Sequence, residues 1–204
     1  MDSNASVKAE GKSVPKGRES GMPEMEYWES FFQPECMLRQ LGLSESTRSL
    51  VEFGCGYGTF TIPAGKIISG TVHALDIDPE LTELTIARTR AAGLFNVEQQ
   101  VRDFVAHGSG LDDESVDFAI LFNILHLEDP LGLLIESKRV VRPGGRVAII
   151  HWRDDISTPR GPSLAIRPSL NQCRQWAESV NLRYDRTEQF TGCDYHWGLL
   201  MSKQ

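Results

Sequence analysis

Leu50-Val51-Glu52-Phe53-Gly54-Cys55-Gly56-Tyr57-Gly58 is the stretch whose reading decides how the chain is organised. Leu50, Val51 and Phe53 make the short apolar run of a buried strand, and three glycines at alternate positions follow it. A helical pattern over residues 60–68 comes next. A strand that turns into a helix through glycines lets a ligand lie directly against main chain, because no Cβ stands in the way. The helix N-terminus adds N–H groups for an anionic part of that ligand. The spacing is G-x-G-x-G. The dinucleotide pattern needs its third glycine one place later, where this chain has Thr59. An acid, Glu52, stands two residues before the first glycine.

Downstream, apolar strands alternate with amphipathic helices. Residues 71–76 form the second strand, and Asp78-Pro79 caps a helix predicted to turn Leu81, Leu84, Ala87 and Ala91 inward. Residues 96–102 alternate weakly as a third strand, and 116–122 is the strongest strand in the chain. Asp129-Pro130 repeats the cap, with Leu131, Leu134, Ile135 and Lys138 following, and Pro143-Gly144-Gly145 breaks that helix before a fifth strand over 146–152. Such alternation implies a parallel sheet with right-handed crossovers. A polar segment, 153–168, is long for a compact domain and so a candidate functional loop. Ser169 and Gln172 open a helix with Leu170, Cys173, Trp176, Ala177 and Val180 on one face. The last two strands, 183–190 and 195–201, are joined by four residues, too few for a crossover, so they form an antiparallel hairpin.

Upstream, residues 1–22 lack periodicity and are expected to be a disordered tail, leaving 23–204 as a single domain. Tyr27, Trp28, Phe31, Met37, Leu38 and Leu41 fall at helical spacing, with Tyr27 and Trp28 placed to help lid a pocket and meet a substrate. The formal charge of −7 argues against a nucleic-acid partner. The four cysteines form no C-x-x-C pair, which implies reduced thiols and no metal site. There is no membrane-length apolar run and no signal-like stretch, so the expectation is a cytoplasmic protein without a membrane partner; the oligomeric state stays open.

In an open α/β sheet the ligand lies beyond the carboxyl ends of the strands. The first strand delivers Glu52 and the glycines there. The second delivers Asp76, about twenty residues past the first glycine, where an acid accepts from both hydroxyls of a ribose. The third delivers Asp103 and Phe104, suited to bond an adenine amino group and cover its ring. The fourth ends in Asn123-Ile124-Leu125-His126, and the fifth in His151-Trp152-Arg153.

Glu52-Phe53-Gly54-Cys55-Gly56-Tyr57-Gly58 resembles the first motif of the class I S-adenosylmethionine-dependent methyltransferases. The acids after the second and third strands, the N-I-L-H after the fourth, the V-V-R-P-G-G-R-V segment and the terminal hairpin extend the resemblance over about residues 45–202. It is similar above all to the group containing the ubiquinone/menaquinone C-methyltransferases. The resemblance implies an α/β, doubly wound, Rossmann-like sheet of seven strands, mostly parallel with an antiparallel C-terminal hairpin strand. It also implies S-adenosylmethionine as cofactor, with Glu52, Gly54, Cys55, Gly56, Gly58, Asp76, Ile77, Asp103, Phe104 and Asn123 around it. In that picture Glu52 holds the cofactor's ammonium and the loop amides take its carboxylate. The chain is shorter than the quinone enzymes and differs after the fifth strand, so their substrate is not carried over.

The favoured reading is methyl transfer to a small-molecule acceptor by in-line displacement. A nicotinamide-dependent oxidoreductase is disfavoured by Thr59 and by the lack of a separate substrate domain; a non-catalytic S-adenosylmethionine-binding regulator is a further alternative. If the acceptor needs a base, His126 and His151 are the candidate catalytic residues. Arg153, Arg160 and Arg167, in the proline-stiffened segment after the fifth strand, would suit an acidic group on the acceptor.

Overall fold

The computed structural model describes residues 22–204, so the tail expected over 1–22 lies outside the described residues except for Met22. In chain order the elements are α1 (Met25–Glu29), α2 (Pro34–Gln40), β1 (Ser49–Phe53), α3 (Thr61–Ile67), β2 (Thr71–Asp76), α4 (Pro79–Ala91) and β3 (Val97–Val101). They continue with α5 (Phe104–His107), β4 (Val116–Phe122), α6 (Pro130–Val140), β5 (Val141–Trp152), α7 (Leu170–Ser179), β6 (Arg183–Gln189) and β7 (His196–Ser202). The strands form one seven-stranded sheet in the order β3-β2-β1-β4-β5-β7-β6. Strands β1 to β5 pair in parallel, and β7 runs antiparallel to both β5 and β6. The order reverses between β1 and β4, which puts the carboxyl end of β1 at the switch point.

The sequence explains most of this. Strands β1 and β4 lie mid-sheet and are covered on both faces, which is why they read as continuous apolar runs. Alternate residues feed two cores. One joins Phe118, Ile120, Phe122, Ile150 and Trp152 to α2 and α3; the other joins Val51, Phe53, Leu121 and Ile149 to α6 and α7. The predicted caps form: Asp78 accepts from the N–H groups of Glu80 and Leu81, Asp129 from Gly132, and Ser169 from Gln172.

Four local readings change. The N-terminal aromatic segment makes two short helices, since Pro34 opens α2 instead of extending α1. Helix α4 buries Thr82, Thr85 and Thr89, whereas Leu84, Ala87 and Ala91 are exposed. Those threonines share the helical spacing of an inward face, and their hydroxyls find acceptors there: Thr82 donates to the Asp78 carbonyl and Thr85 to the Gly56 carbonyl. On α6 the buried residues are Leu133, Leu134, Ser137 and Val140, with Leu131 and Ile135 outside. Pro143-Gly144-Gly145 lies within the ragged start of β5, and the main chain of Gly144 and Gly145 pairs with Lys203 near the C-terminus.

The Thr85 bond gives a test of the corrected helix face. Thr85→Val keeps the volume but leaves the Gly56 carbonyl without its buried donor, and it should cost about 1–3 kcal/mol in urea unfolding. Leu84→Lys, on the face the sequence suggested was inward, should stay within about 0.5 kcal/mol of the parent protein. Equal losses at the two positions would overturn this packing.

Candidate active site

The glycine turn is held by its own main chain. The N–H groups of Gly54 and Cys55 both donate to the Leu75 carbonyl, at 2.8 and 3.0 Å, which ties the turn to the end of β2. Gly58 N–H donates to the Cys55 carbonyl at 2.8 Å. Gly56 N–H donates to Asp76 Oδ2 at 2.7 Å, while its carbonyl accepts from Thr85 Oγ1 at 2.8 Å. Arg88 donates to the Tyr57 carbonyl at 2.5 Å and pairs with Glu29 of α1. The amides of Gly54, Cys55, Gly56 and Gly58 are therefore already bonded within the protein. Gly56, with φ +51°, contributes conformation and clearance instead. A Cβ there would meet only the flexible end of Met22, with Sδ at 3.1 Å and Cε at 3.2 Å.

Glu52 also departs from expectation. It is 3% exposed and accepts from Thr61 Oγ1 at 2.5 Å, on the first turn of α3. Burial, with Asp76 nearby, pushes its carboxyl up to about 8 despite the Thr61 bond. In this arrangement the Glu52 carboxyl anchors the turn to α3 through Thr61. The Cys55 thiol is buried beside it and pushed upward by that burial and by Glu52 and Asp76.

Asp76 stays where the strand-end argument places it. It is buried, which raises its pKa, and it accepts from Gly56 N–H and, at 3.0 Å, from Asp78 N–H. A carboxylate offers about four lone-pair sites, so the two bonds leave acceptor capacity for a diol. Ile77 next to it is half exposed. Asp103 caps α5 by accepting from Ala106 N–H, and Phe104 packs edge-on against Phe53, with ring centroids 5.4 Å apart. Ile124 Cγ2 would lie 3.3 Å from a Cβ on Gly54, so the β4 loop crosses the glycine turn. A carboxylate, the half-exposed Ile77, the largely buried ring of Phe104 and a turn without Cβ atoms fit a nucleoside bearing an amino-acid tail, which is S-adenosylmethionine.

Beyond Ile124 the character changes. Asn123 sits at φ +57°, is 8% exposed, and neither atom of its amide has a partner. Both ring nitrogens of His126, Nε2 of His151 and Nε1 of Trp197 are likewise buried without partners. The β5–β7 register sets His151 opposite Trp197, and the His126 ring meets His151 edge-on at 5.6 Å. Burial holds His151 down to about 3, and burial together with the Arg167 charge lowers His126, so both rings are neutral near pH 7. His196 lies on the other face against Trp152, at 4.1 Å, and is also held near 3.

The arginines divide. Arg153 pairs with Asp155 at the surface. Arg160 is half-buried and gives its carbonyl to Arg167. Arg167 is buried, and its guanidinium makes five bonds, all to the loop itself: the carbonyls of Arg153, Arg160 and, twice, Pro162, and the Thr158 hydroxyl. It is a staple for the 153–168 loop, with no N–H left for an acceptor molecule. Tyr27 is half exposed and packs on Phe31, which meets Trp152 at 5.3 Å; Trp28 lies 6.3 Å from Trp152. Sequence reasoning missed Thr61, Thr85, Arg88 and Trp197. Of these only Thr85 carried a signal, the threonine spacing on α4.

Two outcomes follow from this geometry. Removing Asp76 takes away the brace on Gly56 and the acceptor oxygens beside it, so Asp76→Ala should weaken S-adenosylmethionine binding roughly ten- to a hundredfold by calorimetry. Unchanged affinity in the folded variant would remove Asp76 from the site. For Glu52, a folded-state pKa raised from 4.5 to about 8 means stability is full below 4.5 and is lost as pH rises through 8. Glu52→Gln has no proton to lose, so its stability relative to the parent should grow between pH 5 and pH 8 by the order of a few kcal/mol. Parallel stability curves would contradict the buried neutral acid.

Comparison with known proteins agrees with the fold and the strand-end pattern. Residues 51–149 match a family model described as a methyltransferase domain. The ribosomal protein L11 methyltransferase of Methylococcus capsulatus is 37% identical over 102 residues, 50% of this chain and 32% of that protein. The demethylmenaquinone methyltransferase of Staphylococcus aureus is 27% identical over 119 residues, 56% of this chain and 46% of that protein. The chain thus spans less than half the length of these curated relatives. A crystal structure of a SAM-dependent methyltransferase from Aquifex aeolicus superposes with a TM-score of 0.75 at 27% identity, covering 84% of this chain and 90% of that one. Sheet order, glycine turn and these matches together show that the chain carries, over residues 51–149, a methyltransferase domain with the fold of the class I methyltransferases that use S-adenosylmethionine as cofactor.

Proposed function

We propose that the chain moves the methyl group of S-adenosylmethionine to a small-molecule acceptor by in-line displacement, with His126 as general base. The observation that carries this reading is the group of buried polar atoms without partners on Asn123, His126, His151 and Trp197, reached across Ile124 from the glycine turn. Buried polar groups are nearly always bonded, so several orphans in one place favour recognition of a polar molecule there. The cofactor supplies a methyl on a sulfonium with a good leaving group. What remains for the protein is alignment at about 3–3.5 Å and exclusion of water. Asp76 and the glycine turn would fix one partner; Phe104 and Ile124 would keep the junction dry; Tyr27 and Trp28 would wall the mouth.

His126 is suited to the proton. Its lowered pKa leaves a lone pair available near pH 7 without prior deprotonation. Arg167 cannot bond the acceptor, yet its charge acts on His126, His151 and His196; Asp154 acts on it by charge, and among the described residues no carboxylate bonds it. That field favours an acceptor carrying negative charge, which supports a small acidic acceptor by a different route from direct arginine contact. One relative is named for demethylmenaquinone and another for a ribosomal protein, so the acceptor class rests on this site. The net charge of −7 supports a small molecule over a nucleic acid.

The test is release of S-adenosylhomocysteine when the protein and S-adenosylmethionine meet small-molecule, protein and RNA fractions of a cell extract in turn. Turnover is expected with the small-molecule fraction, highest with its anionic part. His126→Phe should lower that turnover about 10²–10⁴-fold while keeping cofactor affinity. Turnover confined to the protein or RNA fraction would overturn the acceptor class, and full activity in His126→Phe would overturn the base.

A further inference from the structure

The geometry points to His151 as a positioning residue: its Nε2 lone pair takes the N–H of His126, fixing the tautomer that leaves the other His126 nitrogen open to the acceptor's proton. This rests on His126 being the base, but it can be tested without an acceptor. Nδ1 of His151 lies 3.4 Å from the Trp152 carbonyl oxygen, which can only accept, so the ring's proton belongs on Nδ1. Nε2 is then a lone pair. It is fully buried and meets no donor. The nearest ring is His126, edge-on at 75° with both nitrogens unpartnered. With each nitrogen about 1.1 Å from its ring centre, a collinear N–H···N bond of about 2.9 Å would set the centres about 5.1 Å apart. The observed 5.6 Å is a small ring adjustment away, and one bond would satisfy two orphaned atoms.

The surroundings decide what such a pair can do. Besides each other, the ionisable groups acting on the two rings are Arg167 from the 153–168 loop and His196 from β7. None of these is a carboxylate. His151 therefore orients the base as an acid does in a Ser-His-Asp arrangement, but as a neutral acceptor. When the acceptor's O–H or N–H proton moves to the open His126 nitrogen, His126 becomes an imidazolium with two N–H groups. One faces the acceptor and the other stays bonded to His151; the added proton later leaves to water. Trp197 backs His151 face-on at 6.0 Å and holds its ring plane.

Long-range ¹H–¹⁵N spectra of the full chain labelled with ¹⁵N-histidine at pH 7 would read the tautomers directly. His151 should carry its proton on Nδ1, and His126 should show a single tautomer. His151→Phe removes the lone pair and should give His126 a mixture, while His151→Gln, whose side-chain carbonyl accepts, should restore the single form. Should the phenylalanine variant fail to fold, His126→Phe gives the reciprocal reading, a shifted Nε2 resonance on His151. A proton found on Nε2 of His151, or signals on either ring indifferent to loss of the other, would overturn the pairing. Pairing in the spectra together with full turnover in His126→Phe would overturn the base reading and leave the pair structural.

Discussion

The carboxylate of Asp76, accepting from Gly56 N–H across the ends of β1 and β2, is the contact on which the site's shape depends. A turn with successive glycines at positive φ has no side chains of its own to fix it, and its unfolded state is rich in alternatives. Here the peptide groups on either side of Gly56 are held from outside, its N–H by Asp76 and its carbonyl by Thr85, both buried. Arg88 takes the next carbonyl, and the Leu75 carbonyl takes the two amides before. The turn is thereby a rigid surface lacking Cβ atoms, which is what a ligand pressed against main chain requires.

A division of polarity follows from that rigidity. Below and behind the turn the three acids are satisfied, Glu52 by Thr61, Asp76 by two amides and Asp103 by Ala106, while the buried Thr59 hydroxyl is not. Across Ile124, Asn123, His126, His151 and Trp197 are not. A protein tolerates several unbonded buried groups together only where other structure over-determines them, as it does Asn123 in its left-handed conformation. The charges divide in the same way. Burial leaves Glu52 neutral on one side and the histidines neutral on the other. Arg167 is the buried cation acting on the orphaned side, bonded by carbonyl and hydroxyl dipoles of its own loop, with the Asp154 charge acting on it.

Much of this was legible in the sequence because it is local. Strand runs, the Asp-Pro caps and the four-residue link before the last strand depend on neighbours within a few positions, and each has one physical solution. The helix faces were harder. Leu84 on α4 and Ile135 on α6 are apolar yet exposed, while Thr85 and Ser137 are polar and buried with bonded hydroxyls. Hydrophobicity predicts a face only when the sheet opposite offers no acceptors, and at Gly56 it offers one.

The chain's own letters determined an α/β sheet with a glycine turn at its switch point and acids at the following strand ends, because main-chain conformation and strand direction follow from residue type and spacing. Only the tertiary structure decided what those residues do. It turned Glu52 inward to Thr61, since a carboxyl with covered surroundings bonds the nearest hydroxyl and gives up its charge. It made Arg167 a loop staple, since four carbonyl and hydroxyl oxygens from 153–162 converge on it. And it set His126, in the loop after β4, beside His151 on β5, a proximity that depends on the β4–β5 register and the path of that loop, neither of which any short stretch of sequence encodes.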